Sequence, residues 1–217
     1  MGSESWRVGM SHGDQALHVA LYIRDCFQIA ASGPEVPPSL ERPVPVRQIP
    51  IELQNAGDVS AHWLRWWRQL IDVNGRRQLG TNSREFDAVG TSQTQTAGSR
   101  FFDPFDDFQS LDAHSQLKGV VTGSWRQGIE WTKTFISPAP KRGSTVPREV
   151  ARSVIAEYQV SPERVNAGVI VLAVQGPWSA IVSPGVLLCS NSTYADDARF
   201  SLELKKAFVS RLSQSHG

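Results

Sequence analysis

The sequence is short of the features that most readily announce a function. It has two cysteines in 217 residues, Cys26 and Cys189, one in each half. A secreted scaffold held by disulfides needs a denser set, so the count points to a reducing compartment. Charge of one sign is lacking too: 22 Lys+Arg against 21 Asp+Glu leave +1. That balance excludes a whole-chain electrostatic footprint for nucleic acid or an anionic membrane, though not a local patch. The longest apolar run, Val169 to Val174, falls far below the about 20 residues that a membrane-spanning helix requires. Met1 to Asp14 has no apolar stretch of signal-peptide type, so the chain is expected in the cytoplasm. Met10 offers a second start, which would make the first nine residues dispensable.

Sequence-local motifs are lacking as well. There is no G-x-G-x-x-G, G-x-x-x-x-G-K-[ST] or H-E-x-x-H for nucleotides or zinc. C-x-x-C and the G-x-S-x-G nucleophile elbow are also missing. These gaps leave no catalysis evident and no cofactor expected, although residues scattered along a chain can still assemble in space.

What is present is globular: 40% hydrophobic and 20% charged, with seven tryptophans. The length suits one large domain with a sizeable core. Residues 1–13 read as a flexible tail and 14–213 as a single domain. Asp14 is placed to cap a helix running towards Gly33-Pro34, although the alternation of Val19, Leu21 and Ile23 would also suit a strand. Residues 34–50 carry six prolines in 17 positions, which forbids a helix and imposes an extended path. Val36, Leu40, Val44, Val46 and Ile49 lie between those prolines, so this strap is expected to rest on the core.

Asp58 or Ser60 opens a helix with Val59, Trp63, Trp66, Trp67, Leu70 and Ile71 at three- and four-residue spacing, expected to stop at Asn74-Gly75. Residues 80–100, rich in Gly, Ser, Thr and Gln, read as a mobile loop. A further helix is expected from Ser110 or Asp112 to about Phe135, weakened by Gly119, Gly123 and Gly128. Pro147 sits at the start of another, ending near Tyr158. Val169 to Val174 reads as a buried strand, with shorter strands at 178–182 and 186–190. Thr193-x-x-Asp196 resembles a capping box opening the last helix. The expected fold class is therefore α+β: N-terminal helices packed with a small, mainly antiparallel C-terminal sheet in a βββα unit.

Three clusters bear on function. Asp103, Asp106, Asp107, Asp112 and His114 hold the hard oxygen ligands of a metal-assisted hydrolase. Their spacing misses the calcium-loop pattern, and acids gather at helix starts for electrostatic reasons, so an anchored turn is the favoured reading and no metal is assigned. Second, Arg65 and Arg68 flank Trp66, with Arg76 and Arg77 beyond, on the helix at 58–77. Trp66 falls partly outside the face shared by Trp63 and Trp67. This set is the expected partner-binding surface, because Trp and Arg are enriched at interface hot spots. Single-strand nucleic acid is the weaker alternative, with bases stacking on Trp66. For the helix as a whole the favoured reading is a core helix whose arginines cover its apolar edge, because aromatic stripes at helical spacing usually build cores. Third, His18, His62 and the two cysteines read as packed residues. The expected function is that of an accessory or adaptor-type protein with an unidentified protein partner.

Overall fold

The computed structural model of the chain describes residues 5–48, 59–80, 111, 115–135 and 145–214. Among these the order is strand β1 (Arg7–His12), helices α1 (Gln15–Cys26), α2 (Val59–Leu79), α3 (Ser115–Phe135) and α4 (Thr145–Tyr158), and a 3-10 turn at Pro162–Arg164. Strands β2 (Asn166–Leu172), β3 (Ser179–Ser183) and β4 (Val186–Ser190) follow, then helices α5 (Asn191–Ala195) and α6 (Asp197–Gln214). The chain is mixed α+β.

The four strands form one sheet in the order β1-β2-β4-β3. Pairing of β1 with β2 and of β2 with β4 is parallel, and only β3 with β4 is antiparallel. The expectation of a mainly antiparallel sheet is thus corrected. Its physical reason lies in the connections: four described helices separate β1 from β2, and β3 at the sheet edge returns the chain between β2 and β4, so both pairs run parallel. Strand β2 is apolar on both faces, as a strand covered by helices on both sides must be. Ile170 and Leu172, with Val186 and Leu188 of β4, enter a core built with α1, α2 and α3. Val169 and Val171, with Leu187 and Cys189, enter the opposite core with α4 and α6.

The expected flexible tail at 1–13 is corrected in part, because residues 7–12 are strand β1. Gly9 and Ser11 interrupt any apolar alternation there, so no strand pattern is visible locally. The glycine has a tertiary reason: a Cβ on Gly9 would run into the backbone carbonyl of Gln78 near the end of α2. A Cβ on Gly168, Gly9's partner in β2, would lie 2.7 Å from the Gln78 Cβ. From the helix side, a Cβ on Gly75 would lie 3.0 Å from a methyl of Val186. Three missing side chains therefore let α2 sit directly on the sheet. The expected stop at Asn74-Gly75 is corrected for the same reason. The helix continues through them to Leu79, and Gly80 closes it with φ +68° and an amide donated to the Arg77 carbonyl at 3.1 Å.

Helix α1 is buried along almost its whole length, from Ala16 to Arg24 and at Cys26. A helix apolar all round belongs inside, which explains why its sequence also resembles a strand. Asp14 caps it by accepting from the Leu17 amide at 3.1 Å. It ends at Cys26, well short of Gly33-Pro34, with Phe27 as its cap and Gln28 at φ 50°. The last helix is also redivided. Ser190 rather than Thr193 caps the short α5, accepting from the Thr193 amide at 3.1 Å, and α6 starts anew at Asp197.

The proline-rich strap lies against this core through Val36, Leu40 and Val44. Val46, at 62% exposure, does not, which corrects that part of the expectation, and Ile49 lies outside the described residues. The strap's order is maintained by α1: the Arg24 guanidinium donates to the carbonyls of Pro37 (2.6 Å) and Pro38 (2.9 Å), and Asp25 accepts from the Leu40 amide (2.8 Å). Residues 39–41 then pair with the extension of β2, through a bridge between Leu40 and Val174. The loop expected at 80–100 lies, beyond Gly80, outside the described residues.

The glycine contacts give a direct test by urea unfolding. Gly9→Ala is expected to cost about 1–3 kcal/mol, because backbone cannot move aside as a flexible side chain can. Gly123→Ala on α3, where a Cβ meets nothing within 4 Å, is expected to be neutral or to gain up to about 1 kcal/mol from helix propensity. Equal effects at the two sites would contradict the close packing of α2 on the sheet.

Candidate functional site

Helix α2 carries the expected partner-binding residues, and the structure divides them. Trp63, Trp66 and Trp67 are all at 0% exposure. At about 100° per residue, the buried positions from Trp66 round to Gly75 cover about half the helix circumference. The arc is wide because α2 rests on the sheet and is also flanked by α1 and α3 within the same core. Trp66 is therefore a third core tryptophan. The expectation that it faces a partner is corrected, and with it goes the stacking platform proposed for single-stranded nucleic acid.

The inner tryptophans are tied down by polar contacts. Trp63 donates its indole N–H to the Ala20 carbonyl of α1 at 3.0 Å, and Trp67 donates to the Glu35 carbonyl of the strap at 2.9 Å. Their rings stack at 5.5 Å with an interplanar angle of 11°, and the Arg24 guanidinium lies 5.7 Å from the Trp63 ring centroid.

The arginines face outward. Arg65 is exposed, while Arg68 and Arg76 have side chains 60% and 57% exposed. Arg68 pairs with Glu35 at 2.6 Å, and Arg76 with Asp72 one turn back at 2.5 Å. Arg77 is half-buried and donates to the Asn74 side-chain oxygen at 3.1 Å. Burial pushes the Glu35 carboxyl up, but its bonds to its own backbone amide and to Arg68 outweigh this and leave it below its ordinary value. The structure thus brings Arg65, Arg68 and Arg76 onto one solvent-facing surface, whereas Arg77, half-buried and about 100° round the helix from Arg76, falls within the buried arc and is not part of it.

His18 is packed, as expected, but the contacts it makes, and the burial of the His12 Nδ1, were not singled out from the sequence. His18 is fully buried: its Nδ1 lies 2.7 Å from the Asp14 carbonyl, and its Nε2 accepts the Ala173 amide at 3.1 Å. Burial lowers its pKa, while the Asp14 carbonyl and charge act in the opposite sense. An Asp opening a helix four residues before a His was the available signal. His12, at the end of β1, packs edge-on to Tyr194 at 4.7 Å, and its buried Nδ1 has no hydrogen-bond partner among the described residues. Burial lowers its pKa as well. A groove of about 450 Å³ runs between the end of α1 and the strap, lined by Arg24, Asp25, Pro37, Pro38 and Ser39 among others. Both charges in it are already committed to the contacts described above.

Asp103, Asp106, Asp107, Asp112 and His114 lie outside the described residues. Among those described, no group of three or more His, Cys, Asp or Glu is placed to hold a metal ion. Cys26 and Cys189 are buried, reduced cysteines on opposite faces of the sheet. No described helix is long and apolar enough to cross a membrane. Comparison of the chain with protein-family models, curated proteins and solved structures finds no match.

The burial of Trp66 is checked by substitution. Trp66→Ala is expected to destabilise by about 3–5 kcal/mol, as much as Trp63→Ala or Trp67→Ala. A Trp66→Ala protein with an unchanged melting temperature would contradict its place in the core.

Proposed function

We propose that the chain is an accessory or adaptor-type protein of the cytoplasm that acts by binding a protein partner, through the outer face of α2. The observation that carries this reading is the division of that helix. Its inner half is spent on the core, whereas its outer half offers Arg65, Arg68 and Arg76; Arg77, half-buried on the inner side, is left out of the face. Arginine is suited to such a role because its planar fork meets carboxylates with two parallel hydrogen bonds and its stem contributes apolar contact. Two of the guanidinium groups are already oriented by Glu35 and Asp72, which lowers the ordering cost of binding. The partner favoured by this face is an acidic protein surface. With Trp66 buried, the face has arginines for phosphate but no exposed tryptophan on which a base would stack, so nucleic acid is the weaker fit.

The test is affinity capture at low salt with the full chain, compared with the triple variant Arg65→Glu, Arg68→Glu, Arg76→Glu. Surface charge changes of this kind are expected to move stability by well under about 1 kcal/mol each, so matched melting temperatures control for folding. The wild-type chain is expected to retain a protein partner that is lost on the variant and weakened by salt. Retention unaffected by charge reversal would remove this face from the account. Retention abolished by nuclease would favour the nucleic-acid reading.

A further inference from the structure

We propose that His18 is an acid-sensitive latch joining three elements of the fold: the first turn of α1, the extension of β2 and the proline-rich strap. The first two meet at one imidazole, and the strap is joined to it through Ala173. On one side Nδ1 is 2.7 Å from the Asp14 carbonyl, which requires the proton on that nitrogen. On the other, Nε2 accepts the Ala173 amide at 3.1 Å, which requires that nitrogen to be bare. Only the neutral ring with its proton on Nδ1 satisfies both partners.

Ala173 passes the connection on. Its carbonyl accepts from the Glu41 amide of the strap at 3.0 Å. Gln175 continues the ladder, donating its amide to the Ser39 carbonyl at 2.8 Å and its side chain to the Leu40 carbonyl at 3.2 Å. A second proton on His18 would set an N–H against the N–H of Ala173, at a site with 0% exposure where no solvent can take either group. Ala173 must then turn away, and the ladder at 39–41 and 173–175 opens with it. The strap stays attached at Pro37 and Pro38, because the Arg24 contacts there do not involve His18.

The surroundings leave the response to His18. Asp14, on its own helix, is the charged group that acts on the ring. Arg24 and Asp25, further along α1, are paired with each other at 2.7 Å. From β2 come only the apolar Val171, Leu172 and Ala173. Glu41 of the strap is exposed and accepts from Asn191. On α2 and α3, Arg65, Arg68, Asp72, Arg76, Arg126, Glu130 and Lys133 are exposed, and His62, Arg77 and Lys118 are half-buried. The sign follows: a histidine kept neutral by the fold takes a proton more readily once released. The latch is closed above the free-imidazole value of about 6.5 and opens as pH falls below it.

Amide hydrogen exchange on the wild-type full chain, corrected for intrinsic rates, tests this between about pH 7.5 and about pH 5. Protection at Ala173, Glu41 and Gln175 is expected to fall by about tenfold for each pH unit below the titration, while Val169 to Val171 keep theirs. His18→Gln, which does not titrate, is expected to abolish that dependence. If this variant does not fold, the wild-type pattern decides alone. Unchanged protection at the three amides, or equal loss throughout β2, would overturn the proposal. So would imidazole ¹⁵N shifts showing His18 charged near pH 7.

Discussion

The burial of β2 on both faces is the constraint from which the rest of the architecture follows. A strand with Val169 and Val171 on one side and Ile170 and Leu172 on the other cannot lie at a solvent-facing sheet. It needs a strand on each side and helices above and below. Strand β1 supplies one flank and β4 the other, while α1, α2 and α3 close one face and α4 and α6 the opposite one. The tightest of these contacts is α2, which the absence of side chains at Gly9, Gly75 and Gly168 lets down onto the sheet.

That close seat separates structure from surface on α2. Three tryptophans, Leu70 and Ile71 go into the core, and the arginines are left on the outside. The strap belongs to the same system rather than acting as a spacer. Glu35 meets Trp67 through its carbonyl and Arg68 through its carboxylate, so one strap residue touches both halves of the helix. The buried Arg24, in the last turn of α1 where a cation complements the helix dipole, holds the prolines that follow. The core and the basic face are therefore built from the same few contacts.

Much of this was legible in the sequence, and the omissions have physical causes. Helix punctuation located α1, α2, α3 and α4, and the apolar interleaving of the prolines placed the strap on the core. Strand β1 escaped because Gly9 serves a helix 69 residues away (Gln78) and weakens the local pattern where it sits. Parallel pairing escaped because strand direction is set by the connections, not by composition. Trp66 was misplaced because a single apolar stripe was assumed, whereas a helix flanked by other helices on a sheet buries about half its girth. The Asn74-Gly75 pair carries the chemistry of a stop but is used for approach: Asn74 is buried and returns its side-chain amide to the Leu70 carbonyl at 3.0 Å. Of the candidate site, the arginines were legible because exposure of charge is the default; their partners Glu35 and Asp72 emerge only from the fold.

The central claim is that α2 is structural on its tryptophan side and available only on its arginine side. The most direct measurement is ¹⁹F NMR of the full chain labelled with fluorotryptophan, with the Trp66 resonance assigned by Trp66→Phe. Buried indoles are shielded from solvent, so the account predicts that the Trp66 signal does not shift between H₂O and D₂O and is as protected as those of Trp63 and Trp67. A Trp66 resonance that shifts with solvent isotope, as an exposed indole does, would contradict the account.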